Sequence, residues 1–215
     1  GRYIAFAFGP NEMEYAKDAM MIYNKDLNFF KRRLKNEVHG SIGKAHNSKA
    51  IVVKLHTERQ FNTYLKDWVG HNAREKRIPF EILLNYNLDM CREFLKGLWR
   101  GDGSRDGRKY VTSSFQLAHQ VRLLLARLGK YSAVRRYIQK GGFGKGRIIY
   151  EVQLFKPRSR SHVKKTTHLG DYRGYTFFLP IRKIEIRQYR GYVYNLEVEE
   201  DHSYLVYGVA VHNCK

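Results

Sequence analysis

The sequence predicts a mixed α/β body followed by an all-β tail, and three observations predict it. Over the first 155 or so residues, alternating apolar stretches interleave with stretches whose apolar residues recur at helical spacing, so strands and helices share one fold. From residue 177 onward only alternating segments remain, namely FFLPI, KIEIRQ, GYVYNLEV, HSYLVYG and VAVHN. Charge divides the same way. Between 101 and 190 there are 21 Lys and Arg against five acids, whereas 191–214 holds Glu197, Glu199, Glu200 and Asp201 and no Lys or Arg. A basic body with a mildly acidic tail points to two units with different tasks.

Each element carries its own local signal. Residues 2–8 alternate so that Ile4, Phe6 and Phe8 share one face of a strand, and Gly9-Pro10 turns the chain. Asn11 with Glu14 is a capping-box pattern that opens a helix over roughly 12–22. Segments near 31–38 and 49–56 read as paired strands around turn material from Gly40 to Ser48. Thr57 caps a second helix striped by Phe61, Tyr64, Leu65 and Trp68. Residues 70–86 form a connector containing Arg74, Lys76, Arg77 and Pro79. A third helix starts near Asn87, places Cys91, Phe94, Leu95 and Leu98 on one face, and runs into Gly101-Asp102-Gly103. Tyr110-Val111-Thr112 is a strand. Ser113 with Gln116 caps a fourth helix, striped by Leu117, Val121, Leu124 and Leu128 and ended by Gly129. Basic strands near 131–139 and 147–155 flank a glycine-rich turn at Gly141, and 156–175 reads as a surface linker. Both halves of 1–155 show strand pairing and then a helix, which suggests a duplication without a visible sequence repeat.

Composition narrows the function. Forty Lys and Arg against 20 Asp and Glu give a net charge of +20 over 215 residues, which makes a polyanion the first partner to expect. No apolar run is long enough to span a membrane, no basic amphipathic helix or lipidation signal is present, and Gly1-Arg2-Tyr3 does not read as a signal peptide. The two cysteines, Cys91 and Cys214, make a disulfide framework improbable and point to a reducing, cytoplasmic-type compartment.

The tail carries the sharpest chemistry. His212-Asn213-Cys214 comes directly after the strand Val209-Ala210-Val211, and His202 lies ten residues upstream of His212. An asparagine amide can attack its own main-chain carbonyl, closing a succinimide and releasing the downstream chain. His212 can polarise the scissile carbonyl, His202 can handle the proton, and Cys214 is a thiol nucleophile at the junction. On spacing alone the triplet reads equally as an incidental chain end. The wider string GYVYNLEVEEDHSYLVYGVAVHNC, residues 191–214, resembles the C-terminal splicing segment of inteins along its whole length. The resemblance implies Asn213 as the cyclising residue, His212 as the penultimate histidine, His202 as the assisting histidine, and Cys214-Lys215 as the start of the host (extein) sequence. Asn195 stands where that family often has Asp; it cannot act as a base, and a hydrogen-bonding role is implied. Splicing implies no cofactor.

The second signal is Leu95-Lys96-Gly97-Leu98-Trp99-Arg100-Gly101-Asp102-Gly103. Glycines let two such helices touch, and the terminal carboxylate then projects where a divalent cation and a phosphate could meet. By themselves these residues read also as a buried helix before an Asp-Gly turn. The string resembles one copy of the LAGLIDADG motif of homing endonucleases, and Lys76-Arg77-Ile78-Pro79-Phe80-Glu81-Ile82-Leu83 resembles the connector between the two halves of those enzymes. This resemblance, over roughly 2–155, implies Asp102 as a ligand of Mg²⁺ and double-stranded DNA as substrate. Residues 2–22 resemble the strand and helix that come after a first motif. A complementary N-terminal intein fragment is therefore the implied partner, supplying the first motif and the leading nucleophile.

Basic strands fit a DNA partner. Arg135, Arg136, Lys140, Lys145 and Arg147 flank the turn, with Gln153 on the second strand and Lys156 beyond it, while Arg32 and Arg33 are similar candidates in the first half. The resemblance to homing endonucleases also implies a lysine near the metal, for which Lys140 and Lys156 are the candidates. The expected organisation is an endonuclease segment over 1–160, a linker over 161–171, an all-β Hedgehog/intein-type splicing segment over 172–213, and host sequence at 214–215. The function implied is Asn213 cyclisation with transfer to Cys214, alongside DNA binding and, when complete, cleavage. The alternatives are a stand-alone dimeric LAGLIDADG DNA-binding protein and a basic nucleic-acid-binding structural protein.

Overall fold

The computed structural model describes residues 3–25, 40–46, 48–141, 145–155, 164–166, 176–178, 181, 183–200 and 202–212. It divides into two compact units, 1–72 and 73–215. Among the described residues no helix is long and apolar enough to cross a membrane.

The first unit runs β1 (Tyr3–Phe8), α1 (Met13–Lys25), β2 (Ser41–Lys44), β3 (Ile51–His56) and α2 (Arg59–Val69). Its antiparallel sheet has the order β1-β3-β2. Central β3 buries Ile51, Val53 and Leu55 against Ala16 and Tyr23 of α1, and Ile4, Phe8 and Met20 pack on that cluster. Phe6, expected on the same face, is 43% exposed. Four other expectations are corrected. The segment from Gly40 to Ser48, expected as a turn, supplies β2, because Ser41–Lys44 pair with Ile51–Lys54 of β3. Helix α1 is capped one residue later than expected, with Glu12: its carbonyl accepts the first helical bond from Ala16, and its carboxylate accepts from the Gly9 amide at 2.6 Å. Thr57 does not cap α2: Glu58 stands at the N-cap, without a side-chain cap bond, and the Thr57 hydroxyl donates to the buried Asn62 Oδ1 at 2.6 Å. In the expected apolar stripe of α2, Tyr64 is exposed and stacks on Trp68 at 5.8 Å. The expected strand at 31–38, with Arg32 and Arg33, lies outside the described residues.

The second unit runs α3 (Phe80–Asn85), α4 (Leu88–Asp102), β4 (Lys109–Thr112), α5 (Phe115–Arg127), β5 (Ser132–Ile138) and β6 (Ile148–Leu154), then short hairpins β7 (Lys164–Thr166) with β8 (Thr176–Phe178) and β9 (Ser203–Val206) with β10 (Val209–His212). The main sheet has the order β4-β6-β5, again antiparallel. Helix α5 lays Leu117, Val121, Leu124 and Leu125 against Tyr110 of β4 and Val152 of β6, all nearly inaccessible. Its cap is Ser114, one residue after the expected Ser113; the Ser114 hydroxyl accepts from the Leu117 amide at 3.1 Å. Gly129, at φ +68, ends the helix as expected. The connector contains a helical turn, α3, where the sequence pattern predicts none. Arg127 donates to the Leu83 and Tyr86 carbonyls and so ties α3 to the end of α5.

The suspected duplication is visible in topology. Each unit has strand, helix, strand, strand, with the third strand central, and α1 and α5 are both 13 residues long.

The tail departs from expectation. KIEIRQ and GYVYNLEV, predicted as strands, carry no ladder over 183–198. Their apolar side chains stand in solvent, with Ile186 96%, Val193 87% and Tyr194 88% exposed. Alternation gives a chain two faces, but a strand forms only where backbone donors and acceptors find a neighbour. Amides of 183–198 are therefore expected to exchange at nearly unprotected rates in this chain. Addition of a complementary segment should slow them, as hydrogen-exchange mass spectrometry would read.

Candidate functional site

Helix α4 positions Asp102. Asn87 caps it, its side chain accepting from the Met90 amide at 2.9 Å, and Cys91 and Leu95 form its buried stripe. Cys91 is a free thiol. Gly97 and Gly101 lie on an exposed face where an added Cβ would meet nothing within 4 Å, so that face is open to another surface. At the other end the chain is crowded. A Cβ on Gly103 would lie 2.5 Å from the Trp99 carbonyl oxygen, and Trp99 packs on Tyr110 with ring centroids 5.3 Å apart. Only glycine lets the chain leave the helix here. Gly103→Ala is expected to cost about 1–3 kcal/mol by overpacking, seen as a lower urea midpoint at unchanged slope.

Asp102 is half exposed, and Lys76 Nζ stands 3.7 Å from its Oδ2. Burial first, and the charge of Asp102 second, raise the Tyr110 phenol above its ordinary range. The sequence pattern places Lys76 in the connector and does not predict this contact. The connector is stitched to the start of α5: Ser114 Oγ donates to the Lys76 carbonyl at 2.5 Å, and Ser113 Oγ to the Ala73 carbonyl at 3.0 Å. The Gln120 amide grips both the N–H and the carbonyl of buried Ile78, at 2.6 and 3.0 Å. Of the lysines expected here, Lys140 lies just beyond β5 and Lys156 outside the described residues.

Asp102 furnishes one carboxylate for a divalent cation. Among the described residues no group of three or more His, Cys, Asp or Glu could hold a metal ion. The described residues therefore fit half a site at most, because a hard cation needs several oxygen ligands.

Register sorts the basic residues by face. Lys109, Gln153 and Ala133 form one cross-strand row and Val111, Glu151 and Arg135 the next, on the face away from α5. On the α5 side lie Tyr110, Val152 and Val134, then Thr112, Tyr150 and Arg136. Arg135 and Gln153 thus share a face, and neighbouring Arg136 lies on the other. Glu151, which shares its strand with Gln153, is 9% exposed and paired to Lys109 at 3.2 Å, a buried carboxylate held by its cation. Gln153 Oε1 is buried without a hydrogen-bond partner. Lys140, Lys145 and Arg147 are exposed around the β5–β6 turn.

The terminal hairpin brings the two candidate histidines together. Ser203 pairs with His212, and His202 precedes the strand at φ +49, so its ring lies 6.1 Å from that of His212. Asn213 and Cys214 lie outside the described residues. Asn195 sits in the exposed, ladder-free stretch and has an interaction partner there. The hairpin turn rests on α5: the Tyr207 ring meets Phe115 at 5.1 Å and His119 at 4.9 Å, and Arg122 donates to the Tyr207 carbonyl. Burial first, and the Arg122 charge second, lower the His119 pKa.

Comparison with known proteins agrees with the α4–β6 region. Residues 89–162 match the family model described as a LAGLIDADG-like domain. The chain is 34% identical over 221 residues to the ATP-dependent DNA helicase Hel308 of Thermococcus kodakarensis, covering 87% of this chain and 19% of that protein. It is 30% identical over 222 residues to an iron-sulfur cluster assembly SufBD family protein of Mycobacterium bovis, covering 98% of this chain and 24% of that protein. The chain thus spans about a fifth to a quarter of the length of these curated relatives. Among solved structures, I-DmoI in complex with DNA and Ca gives a TM-score of 0.49 at 13% identity, covering 71% of this chain and 68% of that one.

Proposed function

We propose that this chain, which carries a LAGLIDADG-like domain, is the C-terminal part of an intein: it completes protein splicing at Asn213 and binds double-stranded DNA through its basic body. The observation that carries the splicing reading is the meeting of His202 and His212, rings 6.1 Å apart, on the strand end that runs directly into Asn213. A second observation supports it. A DNA helicase and an iron-sulfur assembly protein share no chemistry, yet each contains a stretch of some 220 residues similar to this chain. An element inserted into unrelated hosts accounts for that pattern; a domain serving either host's own function does not.

The residues supply the chemistry. The upstream host segment, held as a thioester on Cys214 Sγ, leaves the intein backbone joined to Cys214 only by the Asn213–Cys214 peptide bond. The Asn213 side-chain nitrogen attacks the Asn213 carbonyl carbon and gives up a proton, for which His202 is the acceptor. His212 steadies the developing oxyanion. The C–N bond breaks, the Cys214 nitrogen gains a proton, and an Asn213 succinimide remains. The freed Cys214 amine then takes the acyl group from its own sulfur, which joins the two host segments by a peptide bond. No atoms are gained from water, so the released piece is lighter by one water than the hydrolysed acid.

The DNA reading rests on the +20 charge and on the face carrying Arg135, Gln153 and Lys109. Arg32, Arg33, Arg136, Lys140, Lys145, Arg147 and Lys156 are proposed as further contacts. Asp102 would hold Mg²⁺ together with an acid from the complementary motif helix, and the cation would supply charge neutralisation at the scissile phosphate. A stand-alone dimeric LAGLIDADG DNA-binding protein is favoured by one observation, the open Gly97/Gly101 face of α4, which a second copy could cover.

The deciding experiment supplies the complementary N-terminal segment, on the same polypeptide or a separate one, and tracks the products by intact-mass spectrometry. The splicing reading expects ligated host segments and a succinimide-terminated intein piece. An unchanged chain that sediments as a dimer on duplex DNA would overturn it in favour of the stand-alone reading.

A further inference from the structure

We propose that α5 of the nuclease-like body is a positioning element for the splicing histidines: by seating Tyr207, it holds the terminal hairpin folded and so keeps His202 and His212 together before the rest of the splicing fold assembles. The inference deepens the proposed function and rests on it for the role of the two histidines.

The hairpin cannot owe its fold to its own strands. β9 and β10 are four residues each and, among the described residues, pair only with one another. Leu205, Val206 and Val209 are 65%, 43% and 53% exposed, so the ladder buries little apolar surface. A two-stranded hairpin of this kind is marginal in water. Its turn adds a penalty, because Tyr207 at φ +49 and Gly208 at φ +78 form a two-residue turn of the I′ kind, in which glycine or asparagine is favoured and tyrosine is strained.

The offsetting contacts lie on α5. The Tyr207 ring sits edge-on to Phe115 at 80° and against His119, while its carbonyl accepts from Arg122. Phe115 in turn abuts Tyr150 of β6 at 5.5 Å, which anchors the seat to the sheet. The turn lies close enough that a Cβ on Gly208 would be 3.6 Å from both Arg122 and Leu123. A tyrosine at a position that asks for asparagine is explained by the seat it fills. The geometry also leaves the far end free. Docking is through the turn, the histidines are at the opposite end, and among the described residues no further strand pairs with either edge.

Tyr207→Asn separates the two possibilities by sign, because asparagine improves the turn and removes the ring. In the full chain, with no partner, the test reads the nuclear Overhauser contact between the His202 and His212 rings and the amide exchange of 203–212. If α5 holds the hairpin, Tyr207→Asn loses the ring contact and speeds exchange by about tenfold or more. Arg122→Ala, which alters the seat from the α5 side, should do the same, while exchange at buried Val121 and Leu124 stays at the parental rate. Unchanged or increased protection in Tyr207→Asn would overturn the inference, whatever Arg122→Ala does to α5. Both readouts are made without splicing. Failure of Asn213 to cyclise with the partner present would strike the proposed function alone.

Discussion

Asn213→Ala is expected to abolish release of the Cys214 segment when the complementary segment is present. Alanine has no amide to attack the carbonyl, so the step is removed rather than slowed. The flanking residues act differently. His202→Ala and His212→Ala leave the nucleophile in place and remove proton handling and carbonyl polarisation, so each should slow cyclisation by roughly 10²–10⁴-fold. Cys214→Ser should permit cleavage and slow ligation, because a hydroxyl is the poorer nucleophile at neutral pH. Intact mass against time measures all four variants. Release by Asn213→Ala at the parental rate would show that the intein reading is wrong.

Asp102→Asn is expected to abolish DNA cleavage by the completed nuclease and to leave DNA binding largely intact. The charge of Asp102 faces Tyr110 and Lys76, at the end of a helix whose glycine face is open. Removing one of two acids withdraws half of the carboxylates proposed to hold the cation, whereas affinity for the duplex comes from Lys and Arg neutralising phosphates. This chain without its complement should therefore bind duplex DNA with a steep salt dependence and cut it slowly or not at all. Nicking of a plasmid substrate, read beside a salt series of filter-binding affinities, tests both halves. Efficient cutting by Asp102→Asn with the complement present would assign the chemistry to another acid. Lys76→Met offers a useful companion: if the contact at 3.7 Å serves the chemistry, it lowers cleavage and leaves affinity nearly unchanged.

Much of the fold and the site was legible in the residues alone, because it depends on neighbours in sequence. Asn87 caps α4 through a side chain three residues from its partner amide, Gly129 ends α5, and the strands at 3–8, 132–138 and 148–154 result from alternation. The position of Asp102 at a helix end is likewise local. The tertiary structure decided the features that depend on residues far apart in the chain. Lys76 reaches Asp102 because Ser114 and Gln120 bind the connector from 38 to 42 residues away, a contact no periodicity encodes. Arg135 and Arg136 are adjacent in sequence but divided between two faces, since one residue of register changes the side of a sheet. KIEIRQ and GYVYNLEV have strand alternation and form no strand, because a ladder is a property of two segments and alternation of one. His202 and His212 meet because the hairpin closes, and it rests on α5 through Tyr207, some 90 residues beyond Phe115 in the chain: local pattern chose the residues, and long-range packing chose which of them would meet.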